Sequence, residues 1–546
     1  MSGSHLDIIK KSYSSPPSYT EIMAGQPEGY RDIRTLGDLI EINYKMVSAK
    51  EQMRQNLATL LSSGERTFPG VIGYDDDILP AIHRAILAGH DILLIGQMGQ
   101  AKTRLAQTAA KTLLSPMPVV RGSVTGDCPM AMPASDLAAL LDDDYASASP
   151  SPHFFISPES ASKIRDDRLE TRISWVEGYS RYRYVLATPD ISVKDLVGYV
   201  DAIKVAKSGV EMYRIDSYSP GQLMQARHGI ICIDELPVLD PRKQVALLSV
   251  LQEGRFTTGA YPVSFEPEAV FFATANPIDY THSGKVIEPL YDRLKSHIHT
   301  RYPKTVNDEM MIIMQEAQIP DIRIPAAVLH ILAQTIHNMR ASPRINQEKG
   351  VSVRLGIHGI EILAGEALRC RAHMPGEAPA PRLTDMYCLE QVTKFELTDM
   401  DDDASRRRTV FLGLLEESIR DSCLAILAGI TPEQLESIRA EFAERTFPVS
   451  QSMPWGGGAG TASYRSYLES FDALGRLVRS REDGFILTQQ EVAAFFDYMG
   501  AGCKSLVFPP ESTESLLPLF LEMTLEGLRW TTPKILERRD AEYVQA

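Results

Sequence analysis

No stretch of the 546-residue chain approaches an uninterrupted apolar run long enough to cross a membrane as a helix, which takes about eighteen residues. The first residues, Met1-Ser2-Gly3-Ser4-His5-Leu6-Asp7, also lack the basic-then-apolar order of a secretion signal. Together these absences predict a cytoplasmic protein with no membrane span. Cysteine is scarce: Cys128, Cys232, Cys370, Cys388, Cys423 and Cys503 are scattered without C-x-x-C spacing. That excludes a zinc ribbon and a disulfide framework and leaves reduced thiols, mostly in the core. The twelve histidines contain no H-E-x-x-H pattern, and His297 and His299 alternate as one face of a strand would rather than as metal ligands. Positive charge is in deficit, with 56 basic against 71 acidic residues and a net charge of −15. Binding along a phosphate backbone needs concentrated Lys and Arg, so nucleic acid is disfavoured as a partner, a local basic pore excepted.

What is present is core material and phosphate chemistry. At 44% hydrophobic the chain can bury a sizeable core, and its length predicts three or four units. The apolar run Ile92-Leu93-Leu94-Ile95 leads into Gly96-Gln97-Met98-Gly99-Gln100-Ala101-Lys102-Thr103 and then a helical pattern from Arg104 to Leu114. A glycine loop between a strand and a helix aims backbone N–H groups and the helix N-terminus at phosphates. The Lys ammonium reaches the outer phosphates and the Thr hydroxyl holds Mg²⁺. Ala101 stands where this pattern has its second glycine. Alanine keeps the N–H but restricts φ, so the substitution is tolerable if the backbone there is already near-helical.

A loop of this kind needs a second strand bearing a carboxylate for the metal. Ile230-Ile231-Cys232-Ile233-Asp234-Glu235 supplies two acids at the end of an apolar run, as expected where a buried parallel strand meets the ligand edge of its sheet. Asp234 would hold Mg²⁺ and Glu235 would polarise water. Taken alone, the pair reads equally well as acids favoured at a helix start. A third run, Val270-Phe271-Phe272-Ala273-Thr274-Ala275, ends in Asn276-Pro277, where Asn276 could orient water or simply start a turn. Arg293 in Pro289-Leu290-Tyr291-Asp292-Arg293-Leu294 could reach a neighbouring subunit's nucleotide, and Arg354 opens a further helical pattern. Singly, either arginine reads as an ion-paired surface residue.

The succession GQMGQAKT, IICIDEL, FFATANP, PLYDRL and GVSVR resembles the AAA+ ATPases of the magnesium-chelatase I-subunit and MoxR-like group, over about Phe68 to Ala367. The resemblance implies an α/β fold: a AAA+ P-loop core with a parallel sheet, an α-helical lid, and helical extensions at both ends. It implies ATP and Mg²⁺ as cofactors, with nucleotide contacts from Gly96, Gly99, Gln100, Ala101, Lys102, Thr103 and Arg104. Val71 and Ile72 would touch the base, and Thr103 and Asp234 would hold the metal. Glu235 would be the catalytic carboxylate that polarises water, Asn276 sensor 1, Arg293 the arginine finger and Arg354 sensor 2. It further implies a homo-oligomeric ring, a hexamer, that remodels a protein client. The partner it implies carries a von Willebrand A domain; this chain has no D-x-S-x-S signature, so that partner would be a separate polypeptide.

The interval between Lys102 and Asp234 leaves room for an insertion. Leu196 to Asp201, a polar stretch from Ala202 to Ser219, and Pro220-Gly221-Gln222-Leu223 resemble the hairpin inserted in the second helix of this clade. Gly254 to Tyr261 resembles its second hairpin, and an ordinary surface loop is the alternative for both. Phe256-Thr257-Thr258-Gly259-Ala260 also resembles a loop of sigma-54 polymerase activators, but that loop precedes the Asp-Glu strand and this one follows it. The expected division is an N-terminal helical extension over 1–66, the ATPase core over 67–303, the lid over 304–398 and a mainly helical extension over 399–546. One continuous helical pattern is expected from Thr35 to Leu61, with Gly64 as its stop. Asp142-Asp143-Asp144 with Ser147 to Pro152, and Gly456 to Gly460, read as solvated loops. Two other readings stand beside the remodelling ATPase: a nucleic-acid motor, and a magnesium chelatase subunit proper.

Overall fold

The computed structural model of the protein describes residues 5–142, 155–208, 217–256, 265–277, 285–371, 379–398, 403–448, 461–480, 489–499, 506–507, 513–539 and 542–546. The loops expected over 142–152 and 456–460 lie outside these, apart from Asp142, as do the tips of both expected hairpins. The chain divides into two compact units, Met1–Arg301 and Tyr302–Ala546.

In the first unit, five strands form one parallel sheet: β1 (Ile92–Ile95), β2 (Tyr182–Leu186), β3 (Ile230–Asp234), β4 (Val270–Ala275) and β5 (Ser296–His299). Their spatial order is β5-β1-β4-β3-β2. Every residue of β1 and β4 is buried, because helices cover both faces and neither can be polar. The pleat divides the strands cleanly. Ile92, Leu94, Ile230, Cys232, Val270 and Phe272 face one core, while Leu93, Ile95, Ile231, Ile233, Phe271 and Ala273 face the other.

The first core is closed by α1 (Ala49–Ser63), α2 (Ile78–Leu87) and α3 (Lys102–Leu113). Helix α3 buries Leu105, Ala106, Ala109, Ala110 and Leu113, the three-and-four spacing of one helical face. The second core lies under α4 (Pro241–Glu253) and α5 (Glu288–Arg293). The region expected as a single helix from Thr35 to Leu61 is two. A short helix Leu36–Glu41 ends before Asn43, which adopts φ 52°, and Ser48 caps α1 afresh. Gly64 ends α1 at φ 73°. Far from standing apart, α1 contributes Met53 and Leu57 to the first core.

The base of the first expected hairpin is an antiparallel pair, with Gly198 opposite Pro220 and Val200 opposite Tyr218. The base of the second is the reciprocal hydrogen-bonded bridge between Phe256 and Phe265. Tyr218 and Phe265 pack in a tilted arrangement at 4.4 Å between ring centroids, and Phe155 and Phe256 pack on Phe265 at 5.2 and 5.3 Å. One aromatic cluster therefore roots both hairpins.

The second unit is mainly helical, built around α6 (Ala326–Ala341), α7 (Arg354–Arg371), α8 (Ala404–Ile426) and α9 (Thr513–Trp530), with a small sheet formed by 447–448, 536–539 and 542–545. Five of the cysteines are free thiols, four of them buried; Cys503 lies outside the described residues. Glu366, Cys370 and Asp385 bring potential ligand atoms within 4.8 Å of one another. Arg369 and Arg371 ion-pair with the two carboxylates, so that cluster is already balanced in charge.

Near it lies Glu522 of α9, 2% exposed, accepting from the Tyr464 hydroxyl at 3.0 Å. Burial pushes its carboxyl up to about 7, against an ordinary 4.5, with Arg382 opposing the rise. The folded state then holds a proton that the unfolded chain releases. Stability therefore falls as pH rises through that window. Glu522→Gln should abolish this fall, sparing on the order of 3 kcal/mol at neutral pH, readable as a flatter melting-temperature profile between about pH 4.5 and 7.

Candidate functional site

The chain ends of β1, β3 and β4 emerge at one edge of the sheet, beside the point where the chain order reverses around β1, which is where ligands bind such sheets. Gly96 leaves β1 with its N–H donating to the Ala275 carbonyl of β4 at 3.0 Å. A Cβ on Gly96 would fall 2.0 Å from Thr300 Oγ1 and 2.2 Å from Gln100 Oε1. Only glycine fits there. Thr300 donates to Gln100 Oε1 at 2.8 Å, and Tyr74 donates to the Gln100 carbonyl at 2.9 Å and to the Arg301 carbonyl at 2.7 Å. The buried Gln100 thus ties the loop to the end of β5 and to the segment before α2. Gly99 adopts φ 77°.

Ala101 does not meet the near-helical condition under which alanine would be unstrained. It sits at φ 54°, ψ 17°, in the left-handed region, as the residue preceding α3. That conformation aims the loop but costs an alanine about 1–2 kcal/mol relative to the right-handed region. Lys102 and Thr103 then form the first turn of α3. The Lys102 ammonium donates to the carbonyls of Gly96 and Gln97, the latter at 2.8 Å, and so lies over the loop. Arg104 follows, partly buried.

Opposite the loop, Asp234 shares its pleat face with Ile230 and Cys232, the face that α3 covers. Thr103 Oγ1 lies 3.4 Å from Asp234 Oδ2. Two hard oxygen donors at this separation suit neighbouring positions around Mg²⁺ rather than a soft, thiolate-seeking ion. Thr274 of β4, fully buried, donates to Asp234 Oδ1 at 2.5 Å and accepts the Glu235 N–H at 3.0 Å. Glu235 adopts φ 57°, a left-handed backbone that the Thr274 contact pins. Its carboxylate is exposed at the sheet edge. Asn276 follows β4 on the same edge, partly exposed.

The other expected site residues are placed as follows. Val71 and Ile72 are buried, and Val71 lines a cavity of about 300 Å³ with Phe68, Leu79 and His83. The segment is held by Arg301, which donates to the Gly73 carbonyl at 2.9 Å and pairs with Asp77 at 2.8 Å. Arg293 ends α5, which packs on α4. Its guanidinium is 42% exposed, with Asp292 at 3.2 Å. Arg354 is exposed at the start of α7 and belongs to the second unit.

Four residues at the site escaped the sequence reading: Thr274, Tyr184, Thr300 and Tyr74. Thr274 lay inside a run already read as a strand, two positions before Asn276, and its hydroxyl at a buried position was the available signal. Tyr184 of β2 donates to Asp234 Oδ2 at 2.9 Å. Burial, and then this bond to a carboxylate, raise its phenol above the ordinary tyrosine range.

Residues 168–294, which hold β2, β3 and β4, match the model of the AAA domain, dynein-related subfamily. That stretch is similar to an AAA domain. It contains Asp234, Glu235, Asn276 and Arg293, while Lys102 and Thr103 precede it and join it through β1. A curated relative, YeaC of Bacillus subtilis (strain 168), described as uncharacterized, is 26% identical over 171 residues, 30% of this chain and 50% of its own length. The chain thus spans about half of that relative. Among solved structures, NtrX from Brucella abortus in complex with ATP is 14% identical, covering 67% of this chain and 66% of NtrX, with a TM-score of 0.32. The complex between subunits BchI and BchD of magnesium chelatase, from cryo-EM, is 18% identical over 64% of this chain and 98% of the matched one, also at 0.32. No described helix of this chain is long and apolar enough to cross a membrane.

Ala101→Gly should relieve the left-handed strain. After the extra chain entropy of glycine is subtracted, the gain is about 0.5–1 kcal/mol, measurable as a higher denaturant midpoint at unchanged slope. An unchanged or lower midpoint contradicts the strain at Ala101.

Proposed function

We propose that the protein is a Mg²⁺-dependent ATPase of the MoxR-like and magnesium-chelatase-like group that works as a homo-oligomeric ring, a hexamer, to remodel a protein client. The observation that carries this reading is the approach of Thr103 to Asp234 at 3.4 Å, which joins the loop to the acidic strand across the sheet edge. The glycine loop and the N-terminus of α3 present N–H groups to phosphate oxygens, and the Lys102 ammonium is within reach of the same region. Thr103 and Asp234 would hold Mg²⁺, which neutralises phosphate charge and supplies a Lewis acid. Glu235 accepts a proton from the attacking water and Asn276 orients that water. Arg293, exposed on α5, is suited to serve a neighbouring subunit's site, and such arginines are worth about 10³–10⁵ in rate. Arg354 and the segment 304–398 act as sensor 2 and lid.

The hairpins rooted at Val200–Tyr218 and Phe256–Phe265 would pass the resulting motion to the client. Recruitment of a separate partner with a von Willebrand A domain follows from the sequence resemblance, and a cytoplasmic location follows from the sequence's lack of an apolar span or secretion signal; both belong to the same proposal. The deficit of positive charge disfavours the nucleic-acid motor, and the segments flanking 68–367 disfavour a chelatase subunit proper.

Lys102→Ala should lose nucleotide binding, and Glu235→Gln should bind ATP while its steady-state phosphate release falls at least a hundredfold, checked by equilibrium binding and phosphate assay. Arg293→Ala should bind normally and turn over as poorly as Glu235→Gln. Mixing the two restores activity, since intact arginines from Glu235→Gln subunits complete the Arg293→Ala sites. Mixed rings that stay inactive at every ratio refute action of Arg293 across the subunit boundary.

A further inference from the structure

We propose that Tyr184 is a positioning residue that fixes the Asp234 carboxylate for the divalent ion; this rests on reading Asp234 as a metal ligand. A carboxylate oxygen offers two lone pairs. On Asp234, Oδ1 accepts the Thr274 hydroxyl at 2.5 Å, while Oδ2 accepts the Tyr184 hydroxyl at 2.9 Å and lies 3.4 Å from Thr103 Oγ1. The carboxylate is therefore held from both sides, by β4 through Thr274 and by β2 through Tyr184. What remains of Oδ2 is directed at the first turn of α3.

The strand order produces this arrangement. β3 lies between β4 and β2, so hydroxyls can reach the Asp234 carboxylate from both neighbouring strands. Tyr184 stands opposite Cys232 in register, and only a side chain as long as tyrosine's carries a hydroxyl from there to the strand end. Burial does not explain the residue: its side chain is 43% exposed, at the sheet's edge. A second contact explains it better. Groups that hydrogen-bond a metal's ligand from outside hold its orientation, and their loss typically costs about 10–100-fold in metal affinity.

Full-length Tyr184→Phe deletes one oxygen and leaves the ring. The test is a Mn²⁺ titration followed by electron paramagnetic resonance in the presence of ADP, alongside binding of mant-labelled ADP in EDTA. The expected result is a Mn²⁺ dissociation constant raised about tenfold with metal-free nucleotide affinity within twofold of the parent. A double-mutant cycle with Asp234→Asn separates positioning from general packing. If Tyr184 acts through the carboxylate, Tyr184→Phe adds nothing to the loss already caused by Asp234→Asn. Either an unchanged Mn²⁺ affinity in Tyr184→Phe or fully additive losses in the cycle overturns the proposal. A parent protein that binds ADP but no Mn²⁺, or neither, overturns the metal reading itself, which is a different outcome.

Discussion

The close approach at Gly96 is the constraint on which the candidate site depends. With no side chain there, Thr300 at the end of β5 and Gln100 within the loop meet across the space that a Cβ would fill. That contact fixes where the loop turns. From Gln100 the constraint spreads through Tyr74 to the Arg301 carbonyl, and through Arg301 to Gly73 and Asp77. Lys102 and Thr103 start α3 where they do because the loop before them has one path. The position of Thr103 opposite Asp234 follows from that path.

Two non-glycine residues at this site, Ala101 and Glu235, hold left-handed backbones. Such strain persists only where the surroundings over-determine it, and both cases have an identifiable hold. The Glu235 N–H is pinned by Thr274. Ala101 is caught between the Gln100 knot and the first turn of α3, whose Leu105 N–H donates back to the Ala101 carbonyl at 3.0 Å. The loop's aim is thus maintained by packing on both sides, at a cost borne by the rest of the unit.

Three strands of the sheet, β1, β3 and β4, were legible because they are near-continuous apolar runs, whereas β2 mixes Arg183 and two tyrosines with its apolar residues and carries no such signal. The meeting of Thr103 with Asp234 could be anticipated from the glycine loop and the acidic strand together. The backbone at Ala101 could not: nothing in the local sequence marks a left-handed alanine, and the Thr300–Gln100 contact beside it joins residues far apart in sequence. Thr35 to Leu61 misled for a related reason. Its apolar spacing is helical throughout, but periodicity carries no trace of the left-handed Asn43 or of Ser48 capping a second start. Tyr184 was invisible because its role comes from strand order, which brings β2 beside β3 although many residues separate them.

The aromatic cluster beneath the two hairpins has a mechanical consequence. Tyr218 ends one hairpin and Phe265 the other, and their rings lie 4.4 Å apart in a core that also holds Phe155 and Phe256. Close-packed rings slide poorly past one another. The described bases of the two expected hairpins therefore rest on one packed cluster, so a substitution that unpacks Tyr218 or Phe265 disturbs the footing of both.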